Sequence, residues 1–86
     1  LTATDREKLE KELLSFIMAE FAATGEVTRD TPLIRQGVVD SIGILRLVRF
    51  LEDHAHVRVE AQDLVLENFA SVKATVDFVE RRQNAG

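Results

Sequence analysis

Eighty-six residues without a cysteine make one small domain, residues 1–86, held by packing rather than by disulfides or thiolate zinc sites. The net charge of −4 argues against nucleic acid and a polybasic membrane-binding surface, and five Phe without Trp or Tyr leave little for stacking bases or sugars. No apolar stretch approaches the roughly 18–20 residues of a spanning helix, and Leu1 to Lys11 is charged throughout rather than signal-like, so a cytoplasmic location is expected.

Helix one is predicted to begin near Thr4, where Thr4 and Glu7 have the spacing of a capping box. Leu9, Leu13, Phe16, Ile17 and Phe21 follow a helical period, and Thr24 and Gly25 are expected to end it. Its acids Glu7, Glu10 and Glu12 are interleaved with Arg6, Lys8 and Lys11, which reads as a solvated face. Residues 25–39 lack a sustained period and contain the only proline, Pro32, which biases Thr31 away from helix. Leu33, Ile34, Val38 and Val39 are too apolar for a solvated linker, so this long loop is expected to pack on the core.

Helix two is predicted over Ser41 to His54, with Ile44, Leu47, Val48 and Leu51 at the spacing of one buried face. Ile42, Leu45, Arg46 and Arg49 are left on the other side. Isoleucine and leucine exposed beside two arginines suggest a docking surface; alternatively Leu45 and Phe50 widen the buried stripe. Val57 and Val59 alternate with Arg58, but no second strand signal exists to pair with them, so an extended connector is expected. A short third helix is expected over Ala61 to Leu66. The fourth is expected to start with Ser71 as N-cap and to bury Val72, Val76 and Val79, with Arg81 and Arg82 at its negative pole.

Chemistry has one plausible seat, the run from Gly37 to Gly43 that contains Asp40 and Ser41. The plain reading is that Asp40 or Ser41 caps helix two and does nothing more. A helix start also offers unpaired N–H groups and the positive dipole end, a favourable setting for a phosphate on an exposed serine. Nucleophilic hydrolysis fits poorly, because the only histidines, His54 and His56, lie beyond the far end of the Ser41 helix. With Asp53 nearby they make a weak metal site at best, and no metal is expected.

These residues resemble the acyl and peptidyl carrier protein family. The matching pair is Asp40 and Ser41, with Ile42 in the hydrophobic place after the serine. Thr31, Pro32 and Leu33 resemble the loop anchor before the motif, and Gly37 the point from which the chain turns toward the serine. Val57, Val59 and Asp63 resemble the approach to the short third helix. Phe69, Ser71, Val72, Val76, Asp77, Phe78 and Val79 resemble the last one, so the likeness spans nearly the whole chain.

The resemblance implies an all-α fold: a small four-helix bundle, three main helices plus one short helix, with a long ordered loop between helices one and two. It implies that Ser41 bears a 4′-phosphopantetheine arm, transferred from coenzyme A by a phosphopantetheinyl transferase, whose thiol holds an acyl or aminoacyl cargo as a thioester. Asp40 would orient the loop and be recognised by the transferase. Ile42, Leu45, Arg46 and Arg49 would form the face read by partners, with Val57 and the start of helix three at its border. Those partners would be an adenylating ligase or acyltransferase that loads the arm and downstream biosynthetic enzymes. The protein would be a monomeric carrier without catalytic activity of its own, and its length suits a free-standing chain.

Two departures bear on subtype. Helix two balances Arg46 and Arg49 against Glu52 and Asp53, and Gly43 stands where fatty-acid carriers commonly have an acid. Residues 44–59 hold three arginines and two acids, a charge of +1, so the rest of the chain carries −5 of the net −4. This pattern is closer to aminoacyl or peptidyl carriers, including D-alanyl and prolyl types. The alternatives are a fatty-acid or polyketide carrier or, in a different class, an unmodified helical adaptor. Glu60 replaces a proline frequent in such proteins, and no function attaches to it.

Overall fold

The computed structural model describes residues 2–21 and 27–85. It is all-α: α1 (Ala3–Glu20), α2 (Ser41–His54), a 3-10 turn (Ala61–Asp63), a one-turn α3 (Leu66–Phe69) and α4 (Val72–Ala85). No helix among the described residues is long and apolar enough to cross a membrane.

The capping box of α1 lies two residues earlier than expected. Thr2 Oγ1 accepts from the Asp5 N–H at 3.1 Å, and Asp5 Oδ2 accepts from the Thr2 N–H at 3.3 Å. Thr2/Asp5 and Thr4/Glu7 share one spacing; the earlier pair lengthens the helix and places an acid in its first turn. Leu9, Leu13 and Ile17 form its buried line. The helix closes at Glu20 with Phe21 as C-cap, whereas Thr24 and Gly25, the expected stop, lie outside the described residues.

The polar side of α1 is less solvated than its charge pattern suggested. Arg6 reaches α4, 2.7 Å from Asp77 and 3.2 Å from Glu80. The hydrogen bond to Asp77 is the main reason its guanidinium holds its proton more firmly than a free one. Glu10 lies 3.0 Å from Arg29 of the loop.

Over its described residues, 27–39, the loop packs down as expected. Val27, Leu33 and Val39 are buried, with Ile34 and Val38 half-buried beside them. Its backbone is tied to the other end of the chain: the Leu33 N–H donates to Ala70 O at 2.9 Å, and the Lys73 N–H to Arg29 O at 2.9 Å. After Pro32 the chain makes a single turn that ends in a Schellman pattern. The Val38 N–H bonds Leu33 O at 2.9 Å and the Gly37 N–H bonds Ile34 O at 3.1 Å. That closure needs a left-handed residue, and Gly37 supplies it at φ +73°.

The inner face of α2 centres on Gly43, Leu47 and Leu51, while Ile44 and Val48 are only half-buried. The buried line is therefore rotated from the expected one, because Gly43, without a side chain, sits innermost. Beyond α2 the chain passes His56 in the left-handed region (φ +55°), and residues 57–60 form neither helix nor strand, with Val57 buried. The expected third helix over Ala61 to Leu66 is instead two pieces. Leu64 and Val65 are non-helical (Val65 φ −120°, ψ 150°) and separate the 3-10 turn from α3. The break lets Phe69 reach the core, where it is fully buried. Asn68 Nδ2 donates to Asp63 O at 2.8 Å and closes the gap.

Ser71 caps α4 as expected, its Oγ accepting from the Ala74 N–H at 3.1 Å. Val72, Val76 and Val79 are buried with Phe78. Among the described residues the one buried polar side chain, Thr75, is satisfied by the carbonyls of Ser71 and Asn68 at 2.9 and 3.1 Å. Arg82 does more than face the dipole: it donates to Arg58 O at 3.2 Å and lies 3.7 Å from both Glu60 and Asp63.

The Leu33 side chain is fully buried while the backbone around it is loop, so its packing holds the loop in place. Leu33→Ala should cost about 2–4 kcal/mol, a large part of the roughly 4–13 kcal/mol available to a chain this size. Ile34→Ala should cost visibly less. Urea unfolding of the two variants checks the order, and equal midpoints would contradict the packed-loop account.

Candidate functional site

Ser41 is the first residue of α2 and is exposed, as are Asp40 and Ile42 beside it. The turn is set by Asp40, the N-cap, in extended conformation (φ −101°, ψ −174°). Its Oδ1 accepts from the Gly43 N–H at 2.7 Å, and its carbonyl accepts the first helical bond from the Ile44 N–H at 2.9 Å. Asp40 thereby satisfies one orphan donor of the helix start, while the Ser41 and Ile42 N–H groups precede the first intrahelical bond. A group on Ser41 Oγ would project from the positive pole of a fourteen-residue helix.

The position of this turn depends on a close approach. A Cβ on Gly43 would fall 2.6 Å from Phe21 Cε1 and 3.1 Å from Val39 Cγ1. The first turn of α2 is thus pressed onto the C-cap of α1 and onto Val39, the loop residue before Asp40. The Phe21 ring is braced in turn by an edge-on contact with Phe16 (centroids 6.0 Å apart, interplanar angle 86°). The sequence motif included Gly43, but the signal for its role was only that glycine is a poor helix former. Its partner Phe21 lies far away in sequence.

His54 sits at the opposite end of α2, thirteen positions from Ser41 and about 20 Å along the axis. Its ring stacks on Phe50 (centroids 4.1 Å) and its Nδ1 lies 3.1 Å from Phe50 O. Neither His54 nor His56 stands where it could take a proton from Ser41. Among the described residues, no group of three His, Asp or Glu side chains gathers around them.

The outer face of α2 matches the expected segregation. Ile42 is 66% and Leu45 59% exposed, and Phe50 is half-buried against Phe16 (centroids 4.5 Å). Arg46 is exposed 3.3 Å from Glu20, and Arg49 lies 3.8 Å from Asp53 in an i,i+4 pair. Exposed pairs of this kind contribute little to stability and leave the guanidinium groups accessible. Val57, by contrast, is 7% exposed and packs in the core. Sequence reading missed Leu64, Val65 and Leu66, which are exposed and apolar. Three apolar residues directly after Asp63 were the available signal, hidden by placing Leu64 to Leu66 inside a short helix.

No family model matches the chain. Over 76 residues it is 36% identical to a probable acyl carrier protein, PigG, of Serratia sp. (strain ATCC 39006), covering 85% of this chain and 86% of that protein.

Two substitutions probe the turn. Gly43→Ala gains up to about 1 kcal/mol of helix propensity but meets an overpacking cost of about 1–3 kcal/mol, so the clash should win. Asp40→Ala should lose about 1 kcal/mol and Asp40→Ser much less, because serine also caps. Thermal and urea unfolding measure both; a stabilised Gly43→Ala would contradict the close approach.

Proposed function

The chain belongs to the acyl and peptidyl carrier protein family, and on that premise we propose that Ser41 is where a 4′-phosphopantetheine arm is attached. The exposed serine opening α2 behind a capping aspartate carries this reading. The residues present suit the group: Ser41 Oγ is reachable by a transferase, and the dipole of α2 favours a phosphodiester there. The arm supplies a terminal thiol for holding an acyl group as a thioester. The chain contains no cysteine of its own.

The remaining roles belong to recognition and delivery, with the chemistry left to cofactor and partner enzymes. Asp40 fixes the angle at which Ser41 leaves the loop, and this is the geometry a phosphopantetheinyl transferase would read. Ile42, Leu45, Arg46 and Arg49 form the face for the adenylating ligase or acyltransferase that loads the arm and for the enzymes that use its cargo. Such contacts are small and transient, since one carrier visits several partners. Val57 supports this arrangement from within the core.

An aminoacyl or peptidyl cargo is favoured over a fatty-acyl one by the charge of α2. Arg46 and Arg49 balance its two acids, so a partner of the fatty-acid type, presenting basic groups, would meet no acidic surface. Gly43 supports the same reading, because the Phe21 contact leaves no room for an acidic side chain there.

Intact mass after incubation with coenzyme A and a broad-specificity phosphopantetheinyl transferase tests the attachment. One arm should be added to the chain and none to Ser41→Ala, which should fold with stability unchanged to within about 0.5 kcal/mol. No gain would favour an unmodified adaptor using the outer face of α2, and an equal gain in the variant would place the attachment elsewhere than at Ser41. Once attachment is established, Arg46→Glu and Arg49→Glu should lower kcat/KM for loading roughly tenfold, about 1.4 kcal/mol, and phosphopantetheinylation less. Loading kinetics measured across a panel of amino and carboxylic acids check this and identify the cargo. Unchanged loading in both variants would misplace the docking face.

A further inference from the structure

Phe21 closes α1 far before Ser41 in the chain, yet its ring is a wall against which the first turn of α2 rests. That ring has little freedom to yield. The Phe21 N–H donates to Ile17 O at 3.0 Å, and the ring meets Phe16 edge-on with centroids 6.0 Å apart. Phe16 is in turn stacked on Phe50 of α2, with centroids 4.5 Å apart and an interplanar angle of 27°. The brace is therefore closed: α2 supplies, through Phe50, support for the wall that its own first turn presses on.

The far side of Gly43 is set as tightly. Its N–H donates to Asp40 Oδ1 at 2.7 Å, the bond that caps α2 directly ahead of Ser41. A methyl at residue 43, 2.6 Å from Phe21 Cε1, would need about 1 Å more room to reach ordinary carbon contact. The braced ring does not give that room, so the turn must. A displacement of that size carries a 2.7 Å hydrogen bond to the limit of about 3.5 Å, where it is lost.

On the reading that Ser41 bears the arm, we propose that Phe21, braced by Phe16 and Phe50, is a positioning residue for the transfer of the arm to Ser41. Its ring sets the place of the Gly43 amide, the amide holds the Asp40 carboxylate, and the cap fixes the direction in which Ser41 Oγ points. In the transfer, Ser41 Oγ gives its proton to a base of the transferase and bonds the phosphorus that carries the pantetheine. The diphosphate bridge of coenzyme A breaks, and its adenosine bisphosphate half leaves. Such a displacement depends on the approach of the attacking oxygen, so a shift of about 1 Å at the turn lowers the rate more than the binding. Gly43 is buried, so its effect does not come through contact with the transferase. Ile42, Leu45, Arg46 and Arg49 keep the encounter surface as it was.

The test is a double-mutant cycle on transfer from coenzyme A, followed by intact mass, with folding of each variant checked by urea unfolding. Gly43→Ala should lower kcat about tenfold where Phe21 is present, with KM held within about twofold. Made on Phe21→Leu, which removes the ring atoms it would strike, the same substitution should lower kcat by less than about threefold. Amide hydrogen exchange in the unmodified chain is a second readout that needs no transferase. The amide of residue 43 should exchange faster in Gly43→Ala than in wild type, and more slowly again in the double variant. Phe21→Leu alone takes the wall away and should also speed exchange at Gly43, a measurement that stands even if Gly43→Ala does not fold. An unchanged kcat in Gly43→Ala, a loss carried by KM alone, an equal loss in both backgrounds, or exchange indifferent to Phe21 would each overturn this role and leave attachment at Ser41 intact. No mass gain on the wild-type chain, or a gain kept in Ser41→Ala, would overturn the attachment and with it a role for Phe21 in the transfer.

Discussion

The first turn of α2 approaches the end of α1 so closely that a Cβ at Gly43 would lie 2.6 Å from the Phe21 ring. Everything at the site follows from that contact. With Gly43 pressed inward, Ser41 and Ile42 face outward, Asp40 falls where its carboxylate bonds the Gly43 N–H at 2.7 Å, and the helix begins there and nowhere else. The cost of a glycine inside a helix, about 1 kcal/mol, is offset by packing that a larger residue would prevent. The aromatic contacts extend this seam along α1 and α2, from Phe21 through Phe16 and Phe50 to His54.

A seam alone would not hold a loop of this length, and the loop is fixed from the other side by α3 and α4. Leu33 is buried, and its N–H bonds Ala70 O, while Arg29 O accepts from Lys73 at the start of α4. The turn ending in Gly37 then redirects the chain toward Asp40. Ser41 therefore stands at the end of an ordered segment held at both ends. Under the proposed function this suits Ser41, because ordering a residue beforehand lowers the entropic cost of each encounter with an enzyme.

Charge is distributed by task. Arg6 with Asp77 and Glu80, and Arg82 with Glu60 and Asp63, join elements distant in sequence and are partly shielded from solvent. Arg46 and Arg49 are more exposed and only loosely paired, which leaves them available to a partner. Beside them, Ile42 and Leu45 expose apolar surface that folding alone does not require.

The local features were legible in the sequence because each is encoded by neighbouring residues. The bounds of α2, the Ser71 cap, the burial of Val72, Val76 and Val79, the connector through Val57 and Val59 that forms no strand, and the packed loop all rest on short-range pattern. The Asp40–Ser41 motif stood out for the same reason. Tertiary structure decided what short-range pattern leaves open. Two capping boxes of equal spacing competed at the start of α1, and the one at Thr2 and Asp5 formed. The third helix broke at Leu64 and Val65 so that Phe69 could enter the core. Val57 turned inward, and Arg6 and Glu10 left the solvated face for partners on α4 and the loop. Above all, the role of Gly43 is set by Phe21 and Val39, and a side chain that is absent leaves no mark in hydrophobic periodicity. Sequence determined that a serine would open an apolar helix behind a capping acid. Packing between segments far apart in the chain decided how that serine is held and which surfaces lie beside it.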